Sequence, residues 1–155
     1  MGRIWFTLCE YSPQDCANWR AVRQNKCQWH TRMSFQADPQ TIRWRLHLQS
    51  PRAKVYAMLS TDTGRASFWA ESASEEDGVI HFVFPNQVTW DARILQADPP
   101  HTYAVQYYGN SAADRTEVIA GWVSVLMALK AAADFGIDLR THDPNRHWDN
   151  GFVEN

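Results

Sequence analysis

Few side chains in this chain of 155 residues stand in patterns that could do covalent chemistry. Cys9, Cys16, Cys27 and His30 are of the right types for zinc. Zinc ligands usually enter as two close pairs; Cys27-x-x-His30 has that spacing, but Cys9 and Cys16 stand too far apart. His142, Asp143, His147 and Asp149 gather near the C-terminus without a facial triad or a tetrahedral set, and read as a polar tail. Ser124 has no Gly-x-Ser-x-Gly elbow around it. The seven glycines are scattered singly, so no phosphate-cradling loop is formed. Neither a metal nor any other cofactor is expected.

What remains is one acid–base set and many aromatic residues. In the strand pattern Val79–Phe84, Ile80, Phe82 and Phe84 share one side and His81 the other. In the next pattern Trp90 and Ile94 share a face, with Asp91 and Arg93 opposite. Burying the apolar set costs less, so His81, Asp91 and Arg93 are expected outside. If the sheet curled the other way, they would enter the interior together and favour acid–base chemistry. Trp69, Phe82, Trp90, Tyr103, Tyr107, Trp122 and Leu126 fall on elements that could face one apolar space. They would fill an ordinary core or line a pocket with few polar groups.

The elements that must position these residues are organised around one long helix, Asp114 to Phe135. Ile119, Trp122, Leu126, Leu129 and Ala133 recur at steps of three and four. Asp114 suits its start, Glu117 the positive first turn, and Gly136 its stop. Before it, Ile42, Trp44, Leu46 and Leu48 alternate with polar residues as in a half-buried strand. Ser50-Pro51 opens a short helix over Ala53–Leu59, and Thr61–Trp69 holds a second capped turn. Glu75–Gly78 is a turn, Val79–Phe84 and Val88–Leu95 are strands, Asp98-Pro99-Pro100 breaks the chain, and Thr102–Tyr108 is a further strand.

Residues 1–32 differ from the rest. They hold all three cysteines, and five Arg/Lys against two acids, where the remainder has ten basic and fifteen acidic residues. Apart from a short strand pattern at Arg3–Leu8 they show neither period. They read as an atypical extension, disordered or preceding a true start at Met33, and are expected to add about 1 kcal/mol or less to stability. Residues 33–155 read as one domain. A composition of 45% hydrophobic, 13% aromatic and 21% charged residues is that of a folding chain. A net charge of -2 gives no nucleic-acid footprint. No apolar run approaches the roughly 18 residues of a spanning helix, and no signal-peptide core is seen, so a cytoplasmic protein without membrane contact is expected.

A strand, then S-P-R-A-K-V-Y-A-M-L (Ser50–Leu59), Phe68-Trp69, strands broken by D-P-P, and G-W-x-x-x-L-x-x-L (Gly121–Leu129) follow in order. This order resembles the START/Bet v 1-like (SRPBCC) superfamily. Within it, the chain is similar to the branch grouped with the activator of Hsp90 ATPase, and the tail His142–Phe152 resembles the ending of bacterial members. The resemblance covers about Gln40–Asn155. It implies an α+β helix-grip fold, an antiparallel sheet curled over the C-terminal helix with an apolar cavity between. Such members carry two more strands before the last helix; here only six residues separate Tyr108 from Arg115, too few for a hairpin.

The function implied is binding of a small hydrophobic or amphipathic molecule by Trp69, Phe82, Trp90, Tyr103, Tyr107, Trp122 and Leu126, without catalysis. Two alternatives stand beside it: a cyclase- or hydrolase-like enzyme acting on such a ligand, and a co-chaperone or protein-interaction domain. The missing strands would leave Thr102–Tyr108 as a free sheet edge, open to homodimer formation.

Overall fold

A computed structural model describes residues 2–7, 44, 46–108, 115–147 and 150–153. Cys9–Arg45 forms a compact unit of its own, of which only Trp44 is described. The three cysteines and His30 lie outside the described residues. The other unit is α+β: β1 (Gly2–Thr7), α1 (Arg52–Ser60), α2 (Asp62–Ala66), β2 (Ser72–Glu76), β3 (Val79–Val83), β4 (Thr89–Asp98), β5 (Thr102–Tyr108) and α3 (Arg115–Lys130). A π-helical turn, Ala131–Phe135, continues α3, and Gly136 ends it in the left-handed region at φ 68°. The strands form one antiparallel sheet in the order β1-β5-β4-β3-β2.

Two positive-φ residues, Asp77 at 51° and Gly78 at 76°, close the β2–β3 hairpin, matching the tight turns that such hairpins favour. The sequence showed the turn but not β2 itself. Ser72–Glu76 is polar, and Ala73 is its one buried residue. Short, charged strands are typical of sheet edges and carry little hydrophobic signal.

The expected free edge at Thr102–Tyr108 is covered. β5 pairs with β4 on one side and on the other with β1, from Gly2↔Tyr107 to Thr7↔Thr102. The short strand pattern inside the extension thus belongs to the sheet. Residues 109–114 lie outside the described residues, and β5 and α3 follow one another on either side of them.

Of the strand expected over Ile42–Leu48, residues 44 and 46–48 are described and lie outside the sheet. Leu46 and Leu48 still turn towards the core and His47 and Gln49 outwards. Their main chain is tied to the end of the long helix instead. His47 O accepts from Lys130 Nζ at 2.6 Å, and Gln49 N donates to Asp134 Oδ1 at 2.9 Å. The helix expected from Pro51 begins at Arg52, and Ser50 donates to Ala133 O rather than capping it. Thr61 caps α2, accepting from Gly64 N at 3.1 Å. Gly64 is required where it stands: a Cβ there would lie 2.5 Å from Ala57 O and Met58 Cα.

The core sits between the sheet, α1 and the C-terminal half of the long helix. Leu59, Phe68, Trp69, Ile80, Phe82 and Val105 are almost wholly buried, each stabilising the fold by roughly 1.5–3 kcal/mol. Ala128, Leu129 and Ala133 seat the helix on it. The stretch Thr116–Phe135, 20 residues, is long and apolar enough to cross a membrane, which corrects the expectation of no such run. The small residues Ala120, Gly121 and Ser124 had masked it. Ala128, Leu129 and Ala133, with the partly buried Trp122, Val125 and Ala132, pack it on the core, while only 17% of its apolar stretch is buried.

Candidate functional site

The strand period places Ile80, Phe82 and Ala92 on the buried face, and His81, Asp91 and Arg93 on the solvent face. The sheet curls the apolar way. His81 and Asp91, paired across β3 and β4, make a 2.8 Å contact on the outside. The acid–base set therefore does not enter the interior.

Three of the expected ligand contacts meet there. The Trp69 ring lies 4.7 Å from Phe82 and 5.5 Å from Trp122, edge-to-face to the latter. Phe6 of β1, missed in the sequence reading, joins them at 6.2 Å from both Trp69 and Trp122. Its only signal was the alternation of a strand set apart in the extension. Trp69 and Phe82 are buried, whereas Phe6, Trp122 and Leu126 are half-buried.

The other expected contacts are scattered. Trp90, paired with Phe82 across the strands, sits at the rim of the buried face, 42% exposed, with its ring 4.8 Å from Phe84. Tyr107 lies opposite Ala92 and Gly2 in the sheet, but its side chain lies outside the described residues. Tyr103 points into a polar corner. Its hydroxyl accepts from Arg65 Nη1 at 3.4 Å, and its ring packs edge-to-face on Tyr56 at 6.0 Å. Burial pushes the Tyr103 phenol up to about 12, against the opposing pull of the Arg65 charge.

A second polar cluster holds the chain after the long helix. Arg140 grips Asp138 through Nε at 2.9 Å and Nη2 at 2.6 Å, and donates to the carbonyls of Ala66 and Ala70. The bond from Arg140, against a smaller cost of burial, brings the Asp138 carboxyl down to about 2. His142 stands between Glu71 Oε1, 2.5 Å from Nδ1, and Asp138 Oδ2, 3.2 Å from Nε2. An open hollow of about 320 Å³ lies beside this cluster, lined by Ala66, Ser67, Ala132, Ile137, Asp138 and Arg140. It contains none of the expected aromatic contacts, and the polar groups of Arg140 are already committed to the fold. Among the described residues no three His, Cys, Asp or Glu side chains converge as metal ligands.

The decisive feature of the aromatic region is graded seating of the long helix. At its C-terminal end Ala128, Leu129 and Ala133 are buried. One and two turns earlier, on the same face, Leu126 and Trp122 are half-buried. The apolar face of the helix is thus fully buried at its C-terminal end and only partly covered at Trp122, whose ring lies against Trp69.

No family model and no curated protein matches the sequence. Among solved structures it is similar to the Aha1 dimer from Colwellia psychrerythraea in solution. The identity is 17% and the TM-score 0.48, over 59% of this chain and 93% of that one. It is also similar to a structural-genomics protein from Staphylococcus saprophyticus, at 16% identity and a TM-score of 0.41, over 61% of this chain and 92% of the other. With its antiparallel sheet set against a long C-terminal helix, the chain is an α+β protein of helix-grip architecture.

Proposed function

We propose that this protein binds a small hydrophobic or amphipathic molecule between the sheet and the N-terminal half of the long helix. The observation that supports the reading is the half-burial of Trp122 and Leu126 on the helix face that is fully buried further on. Apolar surface left partly wet inside a concave space gains free energy when an apolar ligand covers it. Trp69 and Phe82 would floor the site, Trp122 and Leu126 would wall it, and Trp90, Tyr103 and Tyr107 would belong to its wider surroundings. Binding needs no titratable pair, and His81 with Asp91 lies on the other face of the sheet.

Native mass spectrometry of freshly purified protein is expected to show an added small-molecule mass. An environment-sensitive apolar dye is expected to bind the protein and to be displaced by a tight hydrophobic ligand. Leu126→Glu should abolish dye binding, because it places a charge on the apolar wall. A folded wild-type protein that ignores the dye would overturn the reading.

A second reading, a protein-interaction domain, is favoured by a separate observation. Val123 and Met127 on the outer side of the helix, and Phe135, Ile137 and Leu139 beyond it, are between 41% and 60% exposed. Exposed apolar strips of this kind commonly mark contact surfaces. Met127→Glu should then abolish capture of a partner while leaving dye binding intact. Self-association through the sheet, if it occurs, would use the outer side of β1, since β5 is paired on both sides.

A further inference from the structure

Phe6, Trp69 and Trp122 come from three different elements: the edge strand β1, the link between α2 and β2, and the helix α3. Their rings form a triangle with every pair edge-to-face: 6.2 Å at 73°, 6.2 Å at 65° and 5.5 Å at 73°. Trp69 is backed by Phe82 at 4.7 Å and Phe68 at 5.8 Å, so its position is fixed by the core. Phe6 is held differently. It is half-buried, on a six-residue strand whose one strand partner among the described residues is β5. Edge elements with one neighbour open locally at a lower free-energy cost than the core.

We infer that Trp69 and Trp122 form a notch for an aromatic ring, which Phe6 fills in cis and which a ligand carrying a phenyl-sized aryl group enters by taking the place of Phe6. The inference rests on the ligand-binding reading and adds the class of ligand to it. Edge-to-face contact with two indoles rewards a ring with a positive rim and a negative face, which a saturated ring of the same size lacks. Phe6 is half-buried, so the aryl group is a terminus whose other end faces solvent, where an amphipathic molecule keeps its polar part.

The test is Phe6→Ala, titrated with benzene and with cyclohexane by calorimetry, next to the wild type. Removing the internal competitor removes the penalty of opening the site. Phe6→Ala is therefore expected to bind benzene at least about tenfold more tightly than the wild type. The gain for cyclohexane should be clearly smaller. Phe6→Leu, which keeps an apolar residue on β1, should give a gain of the same sign but smaller size, and serves if Phe6→Ala fails to fold. A folded variant that binds benzene no better than the wild type overturns the inference, as does an equal gain for cyclohexane. Dye binding to the wild type tests the ligand-binding reading separately: dye uptake without a gain for benzene removes the aryl notch alone.

Discussion

Arg65, wholly buried, donates to the carbonyl of Ala73 twice, through Nε at 3.1 Å and Nη2 at 2.9 Å. Its partner Asp62, 2.6 Å from Nη2, accepts from Glu75 N at 3.2 Å. An amide carries one proton, so Glu75 N–H points away from β3, and Ala73, two residues back, faces the same way. The Asp62–Arg65 pair on α2 therefore offers β2 a donor and an acceptor where another strand would sit. It caps the edge of the sheet. Arg65→Met leaves Ala73 O without this partner and is expected to cost about 1–3 kcal/mol, read as a lower urea midpoint. It should also uncover the β2 edge, with self-association visible by light scattering. An unchanged midpoint would show that the pair is not a cap.

The other side of the sheet gives a prediction about the N-terminus. β1 covers β5 and contributes Phe6 to the core. A chain that starts at Met33 is expected to melt more than a few degrees below the full chain, against the small effect that composition alone suggests. It should dimerise through β5, as measured by analytical ultracentrifugation. An equal melting temperature and a monomer would mean that β1 adds nothing.

The aromatic cluster separates two tryptophans by burial. Trp69→Ala empties a closed space and should cost about 3–5 kcal/mol. Trp122→Ala, half-exposed in the native state, should cost about half as much and affect apolar dye binding more than stability. Chemical denaturation of both variants checks the order.

Asp134 carries a pH dependence. Its side chain is fully buried, which pushes its carboxyl up. Bonds from Lys130 Nζ at 2.9 Å and from the amides of Gln49 and Ser50 outweigh this and hold it well below the ordinary carboxylate range. A depressed folded-state pKa stabilises above the unfolded value of about 3.9, and that contribution is lost as pH falls below it. Asp134→Ala should lower stability at neutral pH by about 3 kcal/mol and flatten the loss of stability between pH 4 and pH 2 (roughly the carboxylate range). A variant with the same acid-unfolding curve as the wild type would show that another carboxylate governs it.

Tyr103 offers a spectroscopic check. Its phenol, pushed up to about 12 by burial, should remain neutral in an ultraviolet titration of the native protein beyond the ordinary tyrosine value of about 10. Tyr103→Phe should remove this late step.

Much of the fold is determined by local pattern. The steps of three and four from Ile119 to Ala133, with Gly136 behind them, fix the long helix and its end. The period of two in Val79–Val83 fixes which face of that strand is buried. These signals are readable because a face that meets the core must be apolar at every turn or every second residue. The partners of each face were decided only in three dimensions. Leu46 and Leu48 alternate like a strand, but hydrogen bonds from Lys130 and to Asp134, more than eighty residues away, take up the neighbouring main chain. β2 is polar because the Asp62–Arg65 pair covers its edge, and that cover leaves no hydrophobic trace in the strand. The same holds for the candidate site. The chain order marks Trp69, Phe82 and Trp122 as aromatic residues on core elements; the pairing of β1 with β5 adds Phe6, and the graded seating of the helix leaves Trp122 half-open. Pairing and seating depend on contacts between residues distant in sequence, and no local period encodes them.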